Sequence, residues 1–187
     1  MDTFLIALLL VFAIALGGRD QLIVGQFTDA VGRSVPLLVT ATACAAASAG
    51  IMGWAGAQVG VLLPPRAADI LVSIALPVCA AELVWPVRVK PMREPTRSFV
   101  AIAAVLVVRQ CMDSARFVIF ALAASAVYPA TAAIGGAIGG AGAIALGWAA
   151  GSERLEQWAL RRLRLVLAAG LILAAFIIGF SAWNGVA

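Results

Sequence analysis

Six long apolar runs, at roughly residues 4–26, 35–63, 67–87, 99–127, 130–150 and 163–186, leave little of this 187-residue chain to build anything else. About 20 apolar residues cross the hydrocarbon core of a bilayer. Within that core every backbone polar group must be satisfied inside the protein, so spanning segments of this kind are helices. The expected fold class is an all-α polytopic membrane protein with six transmembrane helices, in a single integral membrane domain over residues 1–187. Hydrophobic residues make up 64% of the chain and charged ones 12%, against roughly a quarter charged in soluble domains. No polar segment is long enough to form a soluble domain. Pro64, Pro65, Pro86, Pro91, Pro95 and Pro129 punctuate the short connections.

Charge placement predicts the orientation. If the connection between the third and fourth runs faces the cytoplasm, that side carries Arg33, Arg88, Lys90, Arg93, Arg97, Arg154, Arg161, Arg162 and Arg164. The opposite side carries only Arg66, a strong positive-inside bias. Both termini are then non-cytoplasmic, in a bacterial-type inner (plasma) membrane. The stretch 152–165, with Leu155, Trp158 and Leu163 set against Arg154, Arg161, Arg162 and Arg164, reads as a short amphipathic anchor at the cytoplasmic interface.

Several classes fall away. The formal charge of +4 sits mostly in short connections and implies no nucleic-acid partner. The N-terminus carries Asp2 and no basic residue, unlike a secretory signal, so it is expected to stay as the first span. Cys44, Cys79 and Cys111 all lie inside apolar runs, which argues against a disulfide framework. There is no histidine, hence neither the commonest metal ligand nor the usual neutral-pH proton carrier. No nucleophile–base pair is evident, so the chain reads as a non-enzyme without a cofactor.

An internal repeat emerges. Met52-Gly53-Trp54-Ala55-Gly56 recurs as Leu146-Gly147-Trp148-Ala149-Ala150, and Pro36 and Pro129 precede these at a nearly equal offset. Arg19-Asp20-Gln21 and Asp113-Ser114-Ala115-Arg116 occupy corresponding places. Repeat 1 would cover residues 1–92 and repeat 2 residues 93–187. Three spans in each force the halves into opposite orientations, and inverted repeats with matching polar breaks are a transporter signature. Gly135/Gly139 and Gly136/Gly140 add small-xxx-small spacings that read as a helix-packing face.

Charges inside the runs mark candidate sites, since each costs about 2.5–3.5 kcal/mol at a span centre on insertion scales. On a regular fourth helix Arg109, Gln110, Asp113 and Arg116 would share one face, letting Asp113 pair with either arginine. In the first run Arg19, Asp20 and Gln21 are consecutive, and Gly17-Gly18 before them allows a break that frees backbone carbonyls. Gln26 and Glu82 are further candidates. Three intramembrane arginines against Asp20, Glu82 and Asp113 leave no net negative charge, and internal ion pairs locking helices together are the structural alternative.

At these residues the chain resembles the transmembrane-protein-165/Gdt family of manganese and calcium transporters. Members have two inverted three-helix halves, each with E-x-G-D-K-[ST] in its first helix. The first copy would be Ala15-Leu16-Gly17-Gly18-Arg19-Asp20-Gln21-Leu22, with Ala15 in place of the glutamate and Gly18 in place of the aspartate. The second would be Gln110-Cys111-Met112-Asp113-Ser114-Ala115-Arg116-Phe117, retaining Asp113, with Gln110 for the glutamate and Met112 for the glycine. The resemblance implies exchange of a divalent cation, manganese or calcium, for protons. Asp113 and Gln110 would be metal ligands, and Asp20, Gln21 and Glu82 would complete the ion-binding set.

Two other readings stand beside it. Arg19, Arg109 and Arg116 could bind an anionic or zwitterionic solute, as in an amino-acid exporter, because guanidinium matches carboxylate in bidentate fashion. A non-transporting structural or regulatory descendant is the third. The expected partners are the lipid bilayer and a transported ion or small solute, with homo-oligomerisation left open.

Overall fold

In the computed structural model, residues 2–86, 99–152, 155 and 160–184 are described. Eight α-helices make up the elements among them: α1 Asp2–Ala15, α2 Arg19–Val31, α3 Val35–Gly60, α4 Pro65–Val84, α5 Phe99–Cys111, α6 Ser114–Ser125, α7 Pro129–Ala150 and α8 Leu160–Asn184. The basic connection carrying Arg88, Lys90, Arg93 and Arg97 lies outside the described residues, as do Arg154 and Trp158.

Local chemistry sets the helix ends. Gly17 adopts φ +66° between α1 and α2, a left-handed conformation that favours glycine, and the two helices meet at a bend of 61°. Gly32 at φ 84° ends α2. Ser34 then caps α3, its hydroxyl accepting from the Leu37 N–H at 3.4 Å, with Pro36 in the first turn where a missing N–H costs nothing. Pro65 and Pro129 open α4 and α7 in the same way. Gly151, at φ 76°, ends α7. The Asp29 carboxylate just before it in space accepts from the Ser152 N–H at 2.9 Å, tying the end of α2 to the end of α7.

Four helices, α3, α4, α7 and α8, are long and apolar enough to cross a bilayer, and the bent pair α1–α2 is a fifth candidate when taken together. The chain is a multi-pass membrane protein. Its packing is that of a lipid-embedded bundle, with large apolar side chains outward and small ones between helices. Leu9, Trp54, Ile172, Phe176 and Phe180 are exposed, whereas Ala7, Ala41, Ala45, Ala49, Ala75 and Ala132 are fully buried. In lipid, helices gain by close backbone approach, which small residues permit. A methyl group added at Gly135 or Gly139 of α7 would collide with the carbonyl oxygens of Phe4 and Leu8 in α1, one turn apart. On α3, Gly56 and Gly60 meet the carbonyls of Phe120 and Ala124 in α6 in the same fashion. The glycine spacing of α7 is thus a packing face, as its sequence indicates.

α7 packs on α1, α2 and α3, α3 packs on α5 and α6, and α4 packs on α8 and α6. This brings the α1–α2 and α5–α6 junctions near one another, Gly17 of the first buried and Met112 of the second exposed.

Two expectations need correction. The run 99–127 is no single regular helix: α5 stops at Cys111 and α6 starts at Ser114, with Asp113 extended at φ −83°, ψ 143°. Aspartate favours such a position before a helix because its side chain competes for local backbone N–H groups. Arg109 and Gln110 therefore belong to α5 and Arg116 to α6. Second, the end of the stretch 152–165 is no separate surface anchor, while its residues 153, 154 and 156–159 lie outside the described residues. Residues 160–165 are the opening turns of α8, and Arg164 is only 6% exposed.

Candidate functional site

The two junctions border one cavity of about 240 Å³. Its wall brings together Asp20 from the first turn of α2, Glu82 from the last turn of α4 and Asp113 from the α5–α6 junction. Arg19, Arg109, Arg116 and Arg164 line it too. Four guanidiniums and three carboxylates in one small space cannot be incidental in a bundle this apolar. All six intramembrane charges singled out in the sequence lie here, and Gln21 lines the cavity as well. Arg19 and Arg109 are exposed, while Arg116 is buried.

The junctions are braced by polar side chains. Gln21, 1% exposed, accepts from the Gly17 N–H at 2.7 Å and donates to the Ala143 carbonyl of α7 at 2.9 Å. It thus fills a backbone donor that the break leaves free and pins the break to α7. Across the cavity, Glu82 Oε2 accepts from the Ser114 N–H at 3.2 Å, serving as a cap for α6. The Cys79 thiol donates to the Ser114 carbonyl at 3.3 Å. Gln21 and Arg116 are each the third residue of the helix after a junction, and both are buried.

Among the described residues Arg116 hydrogen-bonds a hydroxyl: its Nε donates to Ser48 Oγ of α3 at 3.0 Å. Ser48 Oγ also lies 3.1 Å from Gln110 Oε1. The rest of the guanidinium lies against Gly140, where any larger residue would crowd it. Asp20 lies within electrostatic reach of Arg116, Arg109 and Glu82, and Asp113 within reach of Glu82, Asp20 and Arg116. Gln110 is fully buried, and its Nε2 has no hydrogen-bond partner among the described residues. Gln26 does not line the cavity, and its Oε1 is likewise buried without a partner among the described residues.

Two participants were missed. Ser48 is a lone hydroxyl on the buried face of α3 formed by Leu37, Ala41, Cys44, Ala45 and Ala49; that register was its only signal. Arg164, counted in the sequence with the surface charges of the last connection, reaches into the cavity from α8. It donates from Nη1 to the Gly17 carbonyl at 2.6 Å, from Nη2 to the Glu82 carbonyl at 2.9 Å and from Nε to the Leu83 carbonyl at 3.2 Å. The buried residues Arg164, Ala168, Leu171 and Ala175 recur at helical spacing, so the face was readable.

Chemically, the cavity offers carboxylate oxygens, guanidinium donors, an unpartnered amide nearby and the open ends of two helices. Among the described residues no three thiol or carboxylate groups stand close enough together to chelate a metal directly. At ~30 Å³ per water, 240 Å³ holds a small cation with much of its water shell, or a small organic solute. All three cysteines are free, as their placement in apolar runs implies. Comparison with family models, curated proteins and solved structures gave no match.

Proposed function

We propose that this chain is a secondary transporter of six spans in two inverted halves, exchanging a divalent cation, manganese or calcium, for protons across the inner membrane. The observation that carries it is the meeting of Asp20, Glu82 and Asp113, from three separate elements, on one cavity where two interrupted helices adjoin. In this reading α5 and α6 together make the broken span that corresponds to α1 and α2. Swapping the halves exchanges α1 with α5, α2 with α6, α3 with α7 and α4 with α8. The packing of α1 on α7 then answers to that of α5 on α3, and the packing of α2 on α7 to that of α6 on α3. The matched burial of Gln21 and Arg116 supports the same pairing.

The cation keeps part of its water shell, as small divalent ions readily do. It is held by Asp113 and Asp20, with junction carbonyls supplying further oxygens. Protons and the cation compete for the same carboxylate oxygens, which couples their movements. Rocking of one half against the other alternates access to a site near the midplane.

A second reading is favoured by the guanidiniums. A divalent ion at ~6 Å from one of them meets a repulsion of about 5.5 kcal/mol at an effective dielectric of ~20, which an anionic or zwitterionic solute turns into attraction. One pair of variants separates the two. Under cation exchange, Arg116→Gln retains or raises manganese flux and Asp20→Asn loses it. Under solute transport, Arg116→Gln abolishes uptake of a labelled amino acid or organic anion, and manganese never moves.

A further inference from the structure

We propose that Arg164 is a clamp between the two halves, holding the cavity closed toward the face where α4 ends and α8 begins. This rests on the transporter reading above and adds to it a positioning residue that touches no cargo. Arg164 belongs to α8, yet among the described residues its three hydrogen bonds all go to the first half: to Gly17 at the α1–α2 junction and to Glu82 and Leu83 in the last turn of α4. Each acceptor is a backbone carbonyl at a helix end, where no further intrahelical N–H is available. A planar guanidinium can serve three such oxygens in fixed directions, which a lysine ammonium on a flexible stem cannot.

The clamp also joins the two junctions. Glu82 receives Arg164 at its carbonyl and holds the Ser114 N–H with its carboxylate. The end of α4 is thus gripped from the first junction through Arg164 and from the second through Glu82. Motion of α8 away from the α1–α2 junction parts the Arg164–Gly17 bond, and movement of α8 from α4 parts the other two. Three buried carbonyls then need water, so opening here and wetting of the cavity are one event. The positive-inside bias sets this face toward the cytoplasm.

The test places a cysteine at Ala15, on the cavity wall, in a full-length chain with Cys44, Cys79 and Cys111 changed to alanine. Its labelling rate with a membrane-impermeant maleimide is measured from each face of oriented vesicles. Arg164→Gln and Arg164→Lys are each expected to raise the rate from the α4–α8 face by roughly tenfold or more, as loss of charge-assisted hydrogen bonds implies, with the opposite face unchanged or slower. Unchanged rates in folded variants overturn the clamp, and so does an equal rise at both faces, which marks general loosening. Should Arg164→Gln fail to fold, Arg164→Lys decides, because it keeps the charge and loses only the fork. No metal enters this assay, so absence of cation flux would remove the proposed cargo and leave this result standing.

Discussion

Replacing Gln21 by leucine separates a brace from a ligand. The side chain is fully used in the structure: its oxygen takes the Gly17 N–H at 2.7 Å and its nitrogen gives to the Ala143 carbonyl at 2.9 Å. Leucine fills a similar volume and leaves both backbone groups unpaired in the interior. Each orphaned group costs about 1–3 kcal/mol, so Gln21→Leu is expected to destabilise by about 2–6 kcal/mol. At ~2–4 °C per kcal/mol for a chain of this size, the melting temperature should fall by about 4–24 °C. Cys44 and Cys79 are free and buried, so a thiol-reactive fluorophore reports unfolding of the purified protein in mild detergent. Gln21→Glu keeps the acceptor for Gly17 and sets an oxygen against the Ala143 carbonyl, so it too should melt early. A variant with unchanged melting and abolished flux would refute the reasoning and return Gln21 to the ion-binding set.

Gly139→Leu should destabilise strongly, since its first added carbon already collides with the Leu8 carbonyl, and overpacking costs about 1–3 kcal/mol or more. Gly170→Ala, where an added carbon meets nothing within 4 Å, should instead raise the melting temperature, helix propensity favouring alanine by ~1 kcal/mol; equal effects from the two would contradict the packing described for α7. Ser48→Ala removes the hydroxyl between Arg116 Nε and Gln110 Oε1 and should cost about 1–3 kcal/mol, read by the same melting assay. No loss there would mean that the two side chains find other partners.

The sequence reveals the two junctions unequally. Gly17-Gly18 announces the first, because glycine alone readily takes the positive φ found at Gly17. The second has no glycine or proline: Cys111 and Met112 continue an apolar run, and only Asp113-Ser114 hints at a cap. A regular helix was the natural reading, and it set Asp113 on one face with Arg109 and Arg116. The cavity was legible as a set of residues and not as a place. Asp20, Glu82 and Asp113 are far apart in the chain, and only the packing of α4 on α6 and of α1 and α2 around α7 joins them. Arg164 was hidden by its neighbours. Arg161 and Arg162 are exposed, and a count of loop charges treats all three alike, whereas the helical register of Ala168, Leu171 and Ala175 singles out Arg164.

Asp113 stands at the second junction with its backbone outside either helix, and the transport reading gives it the cargo. The direct measurement is manganese and calcium flux in proteoliposomes under an imposed pH gradient, for the parent and for Asp113→Asn shown to be folded. Gradient-driven flux of either metal in the parent, lost in the variant, is the predicted result. No flux above empty liposomes from folded parent protein, or equal flux from Asp113→Asn, would contradict cation exchange at this cavity.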